Sequence, residues 1–273
     1  MHNNGWLKSP GRKLLAAYAE NTISAGDKAR LKDYIQGLMT RYADDKRIVM
    51  WDIYNEPGQC NQTPILLADA WKWAREINPS QPLTGCTFGC ARADCREMNG
   101  ANSDIVSYHC YSTKGHKENI AELKAKYVQR PVVCTEYMSR PSSTFRGDLP
   151  ILKEAHVGAI NWGFVNGKTG CVFGWGTTQR FEKLMNAPGR TFAQAEQQLH
   201  LQFDLPKPGE NYPEPKVWFH EIFRVDGTPF DQKEVDFIRE MTSAENSQPK
   251  TPSIAHSISG DACSGVSPIA LSR

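Results

Sequence analysis

The sequence predicts an α/β fold in which a mainly parallel sheet is covered by helices. Segments with the pattern of a strand alternate with segments with the pattern of a helix along the 273-residue chain. Each strand–helix unit takes about 25–30 residues. The strand segments are apolar on both faces, as expected for parallel strands that lie between helices. Polar residues also gather at the carboxyl ends of several strand segments, so the chain is predicted to consist of repeated strand–helix units.

Five strand segments follow one another along the chain. The first is rich in β-branched and aromatic residues and ends at Pro57, which cannot donate to a strand ladder. The second, with the sequence PLTGCTF, has the weakest strand pattern. The five predicted strands cover residues 47–57, 82–88, 104–111, 131–138 and 157–165.

Helix segments lie before, between and after these strands. In residues 27–44 the apolar positions recur every three or four residues and form one face. Pro64 occupies a first-turn position, and the last helix opens with Asp231 as N-cap and Glu234 at N3, the spacing of a capping box. The predicted helices cover residues 27–44, 64–78, 117–127, 146–156, 191–202 and 231–241.

Two architectures fit this alternation: a doubly wound open sheet and a (β/α)8 barrel. No glycine-rich phosphate loop follows any strand segment, which counts against a nucleotide-binding open sheet. Barrel enzymes build their sites from the ends of several strands. The sequence therefore favours a TIM-barrel type of α/β fold. The polar and aromatic residues at predicted strand ends are Asn55, Glu56, His109, Tyr111, Glu136 and Trp162.

The charge and hydropathy of the chain argue against two classes of binding partner, nucleic acids and membranes. Lys and Arg total 32 against 30 for Asp and Glu, a formal net charge of +2. This near-balance gives no electrostatic reason to expect a nucleic-acid partner. No apolar run approaches the ~20 residues that a membrane-spanning helix needs, so no membrane partner is predicted either.

The eight cysteines are irregularly spaced and include no C-x-x-C pair, so no metal site is predicted from them. Cys110 and Cys134 lie in strand segments and are predicted to be buried thiols. A disulfide among the loop cysteines remains open, because connectivity cannot be deduced from sequence.

The composition also divides the chain. Residues 1–242 carry all the strand and helix patterns and are predicted to form one partial barrel domain. Within it, residues 166–230 are predicted to be largely loop, of the kind that shapes a substrate cleft. Residues 243–273 are rich in Ser and Pro, lack aromatic residues and are predicted to be a disordered tail.

Two glutamates are the candidate catalytic residues. Glu56 closes the first strand segment and Glu136 lies near the end of the fourth, and both stand beside aromatic residues. A carboxylate at the end of a buried strand is unfavourable unless it is hydrogen-bonded or functional. Either glutamate alone could be half of a structural ion pair, whereas a pair at two strand ends indicates acid–base or nucleophilic chemistry.

These motifs resemble those of a known group of enzymes. Asn55-Glu56-Pro57 after an apolar strand, Glu136 in VVCTEY and Trp162 in AINWGF resemble the retaining glycoside hydrolases of clan A. Within that clan the resemblance is to the cellulase and mannanase group around family 5, over residues 1–242. The resemblance implies an O-glycoside hydrolase that acts on an oligosaccharide or polysaccharide with β linkages and needs no cofactor.

The resemblance also implies a role for each matching residue. Glu56 on the fourth strand would be the general acid/base, and Glu136 on the seventh the nucleophile. Asn55 would bind the sugar 2-hydroxyl, and His109 and Tyr111 on the sixth strand would orient the nucleophile. Trp162 on the eighth strand would be the platform on which a sugar ring stacks. The aromatic candidates for substrate binding are Trp6, Trp51, Trp162, Trp175 and Trp218. Core packing is the simpler interpretation for Trp51, Trp71 and Trp73.

The start of the chain is shorter than a complete barrel of this group requires. If residues 47–57 form the fourth strand, only 46 residues precede it, too few for three further strand–helix units. We therefore expect an incomplete barrel in which strands four to eight are present and the first three are missing. The alternative function is then an inactive barrel fragment or a carbohydrate-binding remnant. The compartment is not fixed by the sequence, and the resemblance suggests a secreted or periplasmic full-length protein.

Overall fold

The computed structural model describes residues 11–57, 64–87, 92–166, 171–176, 188–189, 191, 194 and 214–243. Twelve helices and strands have defined bounds within these ranges. The strands are β1 (Trp51–Asp52), β2 (Leu83–Thr84), β3 (Val106–Cys110), β4 (Val132–Tyr137) and β5 (Gly158–Ala159). The helices are α1 (Arg12–Ala19), α2 (Ala25–Arg41), α3 (Pro64–Ile77), α4 (Ala93–Asn102), α5 (Gly115–Lys126), α6 (Phe145–Glu154) and α7 (Gln232–Thr242).

The five strands are parallel and neighbour one another in sequence order. β1 pairs with β2, and β3 pairs with β4, which pairs with β5. A parallel bridge between Cys86 and Ser107 joins the two groups. The predicted α/β content and the parallel strands are confirmed. Closure into a ring and the numbering of the strands as four to eight stay predictions, because the described strands form an open series.

The strands are shorter than predicted, most of all the first. The amide nitrogens of Arg47 and Ile48 donate to Asp45, which makes a turn where residues 47–50 were expected to be extended. At the other end, Glu56 has a positive φ of 44°, which ends the extended backbone before Pro57. Only Trp51 and Asp52 are left to form β1.

Five of the predicted helices are observed, with ends shifted by a few residues. Helices α1 and α4 were not predicted. The sequence of α4, ADCREMNGAN, has no apolar period, and its inward face includes Asn99. The Asn99 side chain accepts a hydrogen bond from Trp71 Nε1 and donates one to the carbonyl of Cys86. A polar anchor of this kind has no signature in a hydrophobicity pattern. The helix predicted at 191–202 and the tail at 243–273 fall largely outside the described residues, so the domain boundary stays a prediction.

The core lies between the sheet and its helices. The cluster beneath the site packs β3 and β4 against α5 and α6, with Tyr108, Cys134 and Leu152 almost fully buried. A second cluster packs α3 against α2 and β2 through Leu67 and Trp71. Cys110 and Cys134 are buried free thiols as predicted. Among the described residues, no helix is long and apolar enough to cross a membrane.

The last helix begins with the predicted N-cap, but the glutamate at N3 makes a different contact from that of a capping box. Asp231 is the N-cap of α7 as predicted, and its carboxylate accepts a hydrogen bond from the Lys233 amide at 2.8 Å. Glu234 at N3 forms an ion pair with Arg140, which lies after β4, at 2.6 Å. The N3 carboxylate therefore joins α7 to the end of the sheet.

Candidate active site

The ends of three strands place the predicted site residues at one edge of the sheet. Glu56 follows β1, His109 lies in β3 and Glu136 lies in β4. The carboxyl ends of parallel strands meet at the same edge, and His109 is directly opposite Glu136 in the pairing of β3 with β4. Residues separated by 80 positions in sequence are thereby brought together.

A register shift between β3 and β4 determines which way Glu136 faces. Tyr108 is opposite Cys134, but the next residue, His109, is opposite Glu136, so Thr135 is an extra residue in β4. Cys134 lies in the core beneath the helices. Because side chains alternate along a strand, uninterrupted pairing would turn Glu136 to the side of Cys134. The bulge turns it to the side of His109 instead.

His109 contacts both glutamates. Its Nδ1 atom lies 2.6 Å from Glu56 Oε1 and 3.3 Å from Glu136 Oε2. Both partners are carboxylate oxygens, so Nδ1 carries the proton and donates it. One oxygen of each glutamate and this nitrogen all lie within 4.8 Å of one another. The imidazole is 1% exposed and is therefore held in place by the surrounding protein.

Tyr111 makes a second contact with Glu136. The phenol oxygen donates to Glu136 Oε2 at 2.5 Å. Burial and the charge of Glu136 raise the pKa of Tyr111, so the phenol keeps its proton and stays a donor. Hydrogen bonds of this kind stabilise the ionised form of a carboxylate.

The two acidic groups with raised pKa values in the site are Glu136 and Asp52. The pKa of Glu136 is raised to about 7, with burial as the main cause. The contacts with His109 and Tyr111 oppose the rise, and the negative charges of Glu56 and Asp52 add to it. The pKa of Asp52 is raised to about 6, because the protein atoms around the carboxyl group displace part of its water. The residue nevertheless keeps contact with solvent. Carboxyl groups that hold a proton near neutral pH are typical of acid–base sites.

Glu56 sits on unusual backbone. Its φ of 44° falls in the left-handed region, which a side chain with a Cβ seldom adopts. Backbone of this kind clusters at functional sites, where the surrounding structure holds it in place. Asn55, the residue before Glu56, is exposed at the same strand end.

An aromatic wall borders Tyr111. The ring of Trp175 meets Tyr111 edge-on at a centroid distance of 4.9 Å, and Phe219 meets Trp175 at 4.8 Å. Trp175 is 36% exposed and so offers ring surface to solvent. Trp162 follows β5, the neighbour of β4, and is 38% exposed. Two of the five candidate tryptophans, Trp162 and Trp175, are therefore accessible, and Trp175 directly contacts Tyr111, which binds Glu136.

The other tryptophans separate into core and surface. Trp71 and Trp73 are each 3% exposed, which confirms their prediction as core residues. Trp218 was a stacking candidate and is wrong in that role: it is fully buried and lies parallel to Phe230 at 5.0 Å. Trp51 is half-buried and donates to Gln81 at 3.0 Å. Trp6 lies outside the described residues.

Sequence reasoning missed two residues of the site region. His220 was assigned no role, yet its ring lies 5.3 Å from that of Tyr111 and its Nδ1 lies 2.7 Å from the carbonyl oxygen of Met138. It belongs to a segment far along the chain, so no local pattern marks it. Asp52 could have been found, because an acidic residue inside an apolar strand is unfavourable without a reason.

The site also offers a set of metal donors. Glu56, His109 and Glu136 supply two oxygens and one nitrogen at mutual distances that suit a divalent cation. As it stands, the 2.6 Å distance between Nδ1 and Glu56 is that of a hydrogen bond. The proton on Nδ1 therefore accounts for the closeness of the three groups.

The chain has local similarity, at low sequence identity, to several solved structures. A glycosyl hydrolase family 2 member from Bacteroides cellulosilyticus is 14% identical, with 49% of this chain and 17% of that chain covered and a TM-score of 0.37. Thermotoga maritima Cel5A in complex with mannotriose is 16% identical, with 50% and 59% covered and a TM-score of 0.37. The agarase AgWH50C is 14% identical, with 83% and 30% covered and a TM-score of 0.36.

The chain thus spans 17%, 59% and 30% of the lengths of these structures. No curated protein matches the chain. The family model that matches is that of the glycosyl hydrolases family 2, TIM barrel domain, over residues 9–147. This range includes Glu56, His109, Tyr111 and Glu136, whereas Trp162 and Trp175 lie beyond it. The motifs resembled the group around family 5, and the matched model is that of family 2. The chain therefore belongs to the TIM-barrel domain family of the family 2 glycosyl hydrolases.

Proposed function

We propose that this chain hydrolyses O-glycosidic bonds of a β-linked glycan by double displacement, with retention of configuration. The observation that carries the proposal is the pair of glutamates, Glu56 and Glu136, whose carboxylate oxygens lie within 4.8 Å of each other at one edge of the sheet. Retaining enzymes need two carboxyl groups ~5–5.5 Å apart, because the nucleophile attacks the sugar directly. Inverting enzymes leave room for a water between them.

Glu136 is proposed as the nucleophile and Glu56 as the acid/base. Tyr111 donates to Glu136 and so favours its ionised form, which is the form that attacks. The pKa of about 7 does not decide the roles by itself, because a protonated Glu136 would resemble an acid. The assignment therefore rests on the hydrogen bond and on the resemblance of the motif Asn55-Glu56-Pro57.

In the first step a Glu136 oxygen bonds to the anomeric carbon as the bond to the leaving oxygen breaks. Glu56 gives its proton to that oxygen, so the aglycone leaves as an alcohol. In the second step Glu56, now a carboxylate, takes a proton from water. The water oxygen bonds to the anomeric carbon, and Glu136 leaves with its electron pair restored. His109 Nδ1 is hydrogen-bonded to Glu56 and lies 3.3 Å from Glu136, so one side chain holds the two acidic groups in position.

The substrate is proposed to lie along the accessible tryptophans. Trp175 and Trp162 offer ring faces to the apolar C–H surface of sugar rings, and Asn55 is exposed beside Glu56 for contact with a hydroxyl. Ligand sites usually combine apolar and aromatic walls with a few polar groups, and these tryptophans with Asn55 and Glu56 have that composition.

The test uses aryl β-glycosides and azide. Glu136→Ala abolishes turnover, and azide restores it with an α-glycosyl azide as product, because azide replaces the nucleophile in one displacement. Glu56→Ala keeps the glycosylation of substrates with good leaving groups, and azide then gives the β-glycosyl azide. The exposed Glu122 pairs with Arg96, and Glu122→Gln is the matched control with unchanged rates. Exchanged azide products would reverse the two roles. Binding of oligosaccharide without turnover by the wild-type chain would contradict the proposal and support a carbohydrate-binding remnant.

A further inference from the structure

The loop that carries Tyr111 is anchored away from the site by a buried carboxylate. The hydroxyl of Thr113, two residues after Tyr111, donates to Asp148 Oδ1 at 2.5 Å. Asp148 belongs to α6 and is fully buried. The approach is close enough that a Cβ at Gly147 would lie 2.9 Å from the Thr113 oxygen, so glycine at this position lets the helix and the loop meet.

The same carboxylate also lies near His116, three residues after Thr113. His116, at the start of α5, has its Nε2 atom 3.9 Å from Asp148 Oδ1 and its Nδ1 atom 3.0 Å from the hydroxyl of Tyr108. Tyr108 comes directly before His109. Asp148 thus contacts the second half of the 108–116 segment directly and is linked to Tyr108 at its start only through His116. The segment contains His109 and Tyr111, which both contact Glu136.

The charge state of the cluster follows from burial. Burial lowers the pKa of His116 to about 4, so the imidazole is neutral at neutral pH and Nδ1 accepts from Tyr108. Burial raises the pKa of Asp148, and hydrogen bonds from Thr113 and Ser143 oppose that rise. A fully buried carboxyl group is unfavourable compared with an apolar side chain of similar size. The buried polar groups around it, Thr113, His116 and Ser143, make Asp148 the centre of a polar cluster, and we look for a role of this cluster other than stability.

We propose that Asp148 is a positioning residue, which through Thr113 and His116 holds the 108–116 segment so that the Tyr111 hydroxyl stays on Glu136. This inference rests on the proposed function only where it concerns turnover. The contact of Tyr111 with Glu136 is a property of the folded chain and can be followed without any substrate.

The main variant is Thr113→Val, which removes the hydroxyl and keeps the volume. The measurement is the titration of the Glu136 carboxyl carbon by NMR, with the signal assigned by its loss in Glu136→Gln. Tyr111→Phe calibrates the probe: it removes the hydrogen bond and raises the pKa of Glu136. We expect Thr113→Val to raise that pKa by about half a unit or more, and Thr113→Ser, which keeps a hydroxyl, to restore the wild-type titration.

The control is Thr84→Val. Thr84 is a buried threonine whose hydroxyl lies 2.6 Å from the carbonyl oxygen of Ile105 and 2.8 Å from the hydroxyl of Ser107, both of which come before the 108–116 segment. The Thr84→Val variant should have a lower melting temperature and an unchanged Glu136 titration. A Thr113→Val protein that titrates like the wild type, while Tyr111→Phe shifts, would overturn the inference. So would an equal shift in Thr84→Val.

A double variant tests whether Thr113 and Asp148 act together. Asp148→Ala should shift the Glu136 titration by itself. In the Thr113→Val background it should add less than it does alone, because only the His116 contact is left to lose. Fully additive shifts would contradict a joint role of Thr113 and Asp148. If the chain shows no turnover at all, the proposed function fails while these titrations still decide the inference. If turnover is present, kcat falls with the shift and KM stays within about twofold.

Discussion

Arg140 and Glu234 form a two-point ion pair although 94 positions separate them in sequence. The guanidinium is 5% exposed and also donates to the carbonyl oxygens of Trp218 and Glu221. Its backbone amide donates to the carbonyl oxygen of Phe219 at 3.0 Å. One side chain after β4 therefore fixes both α7 and the segment that carries the aromatic wall.

Removal of one partner of this pair should be strongly destabilising. Glu234→Ala leaves a buried guanidinium without its counter-ion, which costs about 3 kcal/mol in the free energy of unfolding. The chain offers a matched control, because Arg224 and Glu214 form a similar pair at the surface. Glu214→Ala should cost less than about 1 kcal/mol. Urea unfolding of the two variants compares them, and equal losses would show that the buried pair is not special.

The stability of the protein should fall as pH rises through the pKa of Glu136. Its pKa in the folded chain is about 7, above the ordinary glutamate value of 4.5. Between these two values the folded state binds more protons than the unfolded state, so the free energy of unfolding decreases with pH. Glu136→Gln removes the buried charge. It should stabilise the protein by ~1–3 kcal/mol at pH 8, and the gain should vanish near pH 5. Thermal melts at both values check this, and a gain independent of pH would contradict it.

The acid limb of the pH–rate profile should lie near neutrality and depend on Tyr111. Attack requires ionised Glu136, so kcat/KM falls as pH drops below its pKa of about 7. Tyr111→Phe removes a contact that lowers this pKa, so the limb should move to higher pH. Tyr18→Phe is the control, since Tyr18 lies on α1 and its hydroxyl faces Asp69. A Tyr111→Phe limb at the wild-type position would show that the hydrogen bond does not set the titration.

The accessible tryptophans should contribute to substrate binding rather than to stability. Trp175→Ala and Trp162→Ala should each weaken the binding of an oligosaccharide by roughly 1 kcal/mol, from the loss of apolar contact area. Trp73→Phe, in the core, should lower the melting temperature and leave the affinity unchanged. The affinity is measured by calorimetric titration with the oligosaccharide, with every tryptophan variant made in the Glu136→Gln background so that no substrate is turned over. Affinities that match the wild type in both alanine variants would remove these rings from the substrate site.

Much of the fold could be predicted because its signals are local. Apolar runs and helical periods mark the five strands and most helices, and parallel strands necessarily bring their carboxyl ends to one edge. That geometry is why Glu56, His109 and Glu136 could be placed together from sequence. Trp218 was misjudged because its burial depends on Phe230 and on Arg140, contacts that no local pattern shows. His220 was missed for the same reason.

The extra residue Thr135 interrupts the alternation of faces along β4. Counted by twos from Val132, one face of the strand would carry Val132, Cys134 and Glu136, which would place Glu136 in the apolar layer under the helices. The pairing places it opposite His109 instead. Without Thr135, Glu136 would follow Cys134 directly and would still face the side of His109. The register with β3, rather than odd and even positions along β4, therefore identifies the face on which this carboxylate lies.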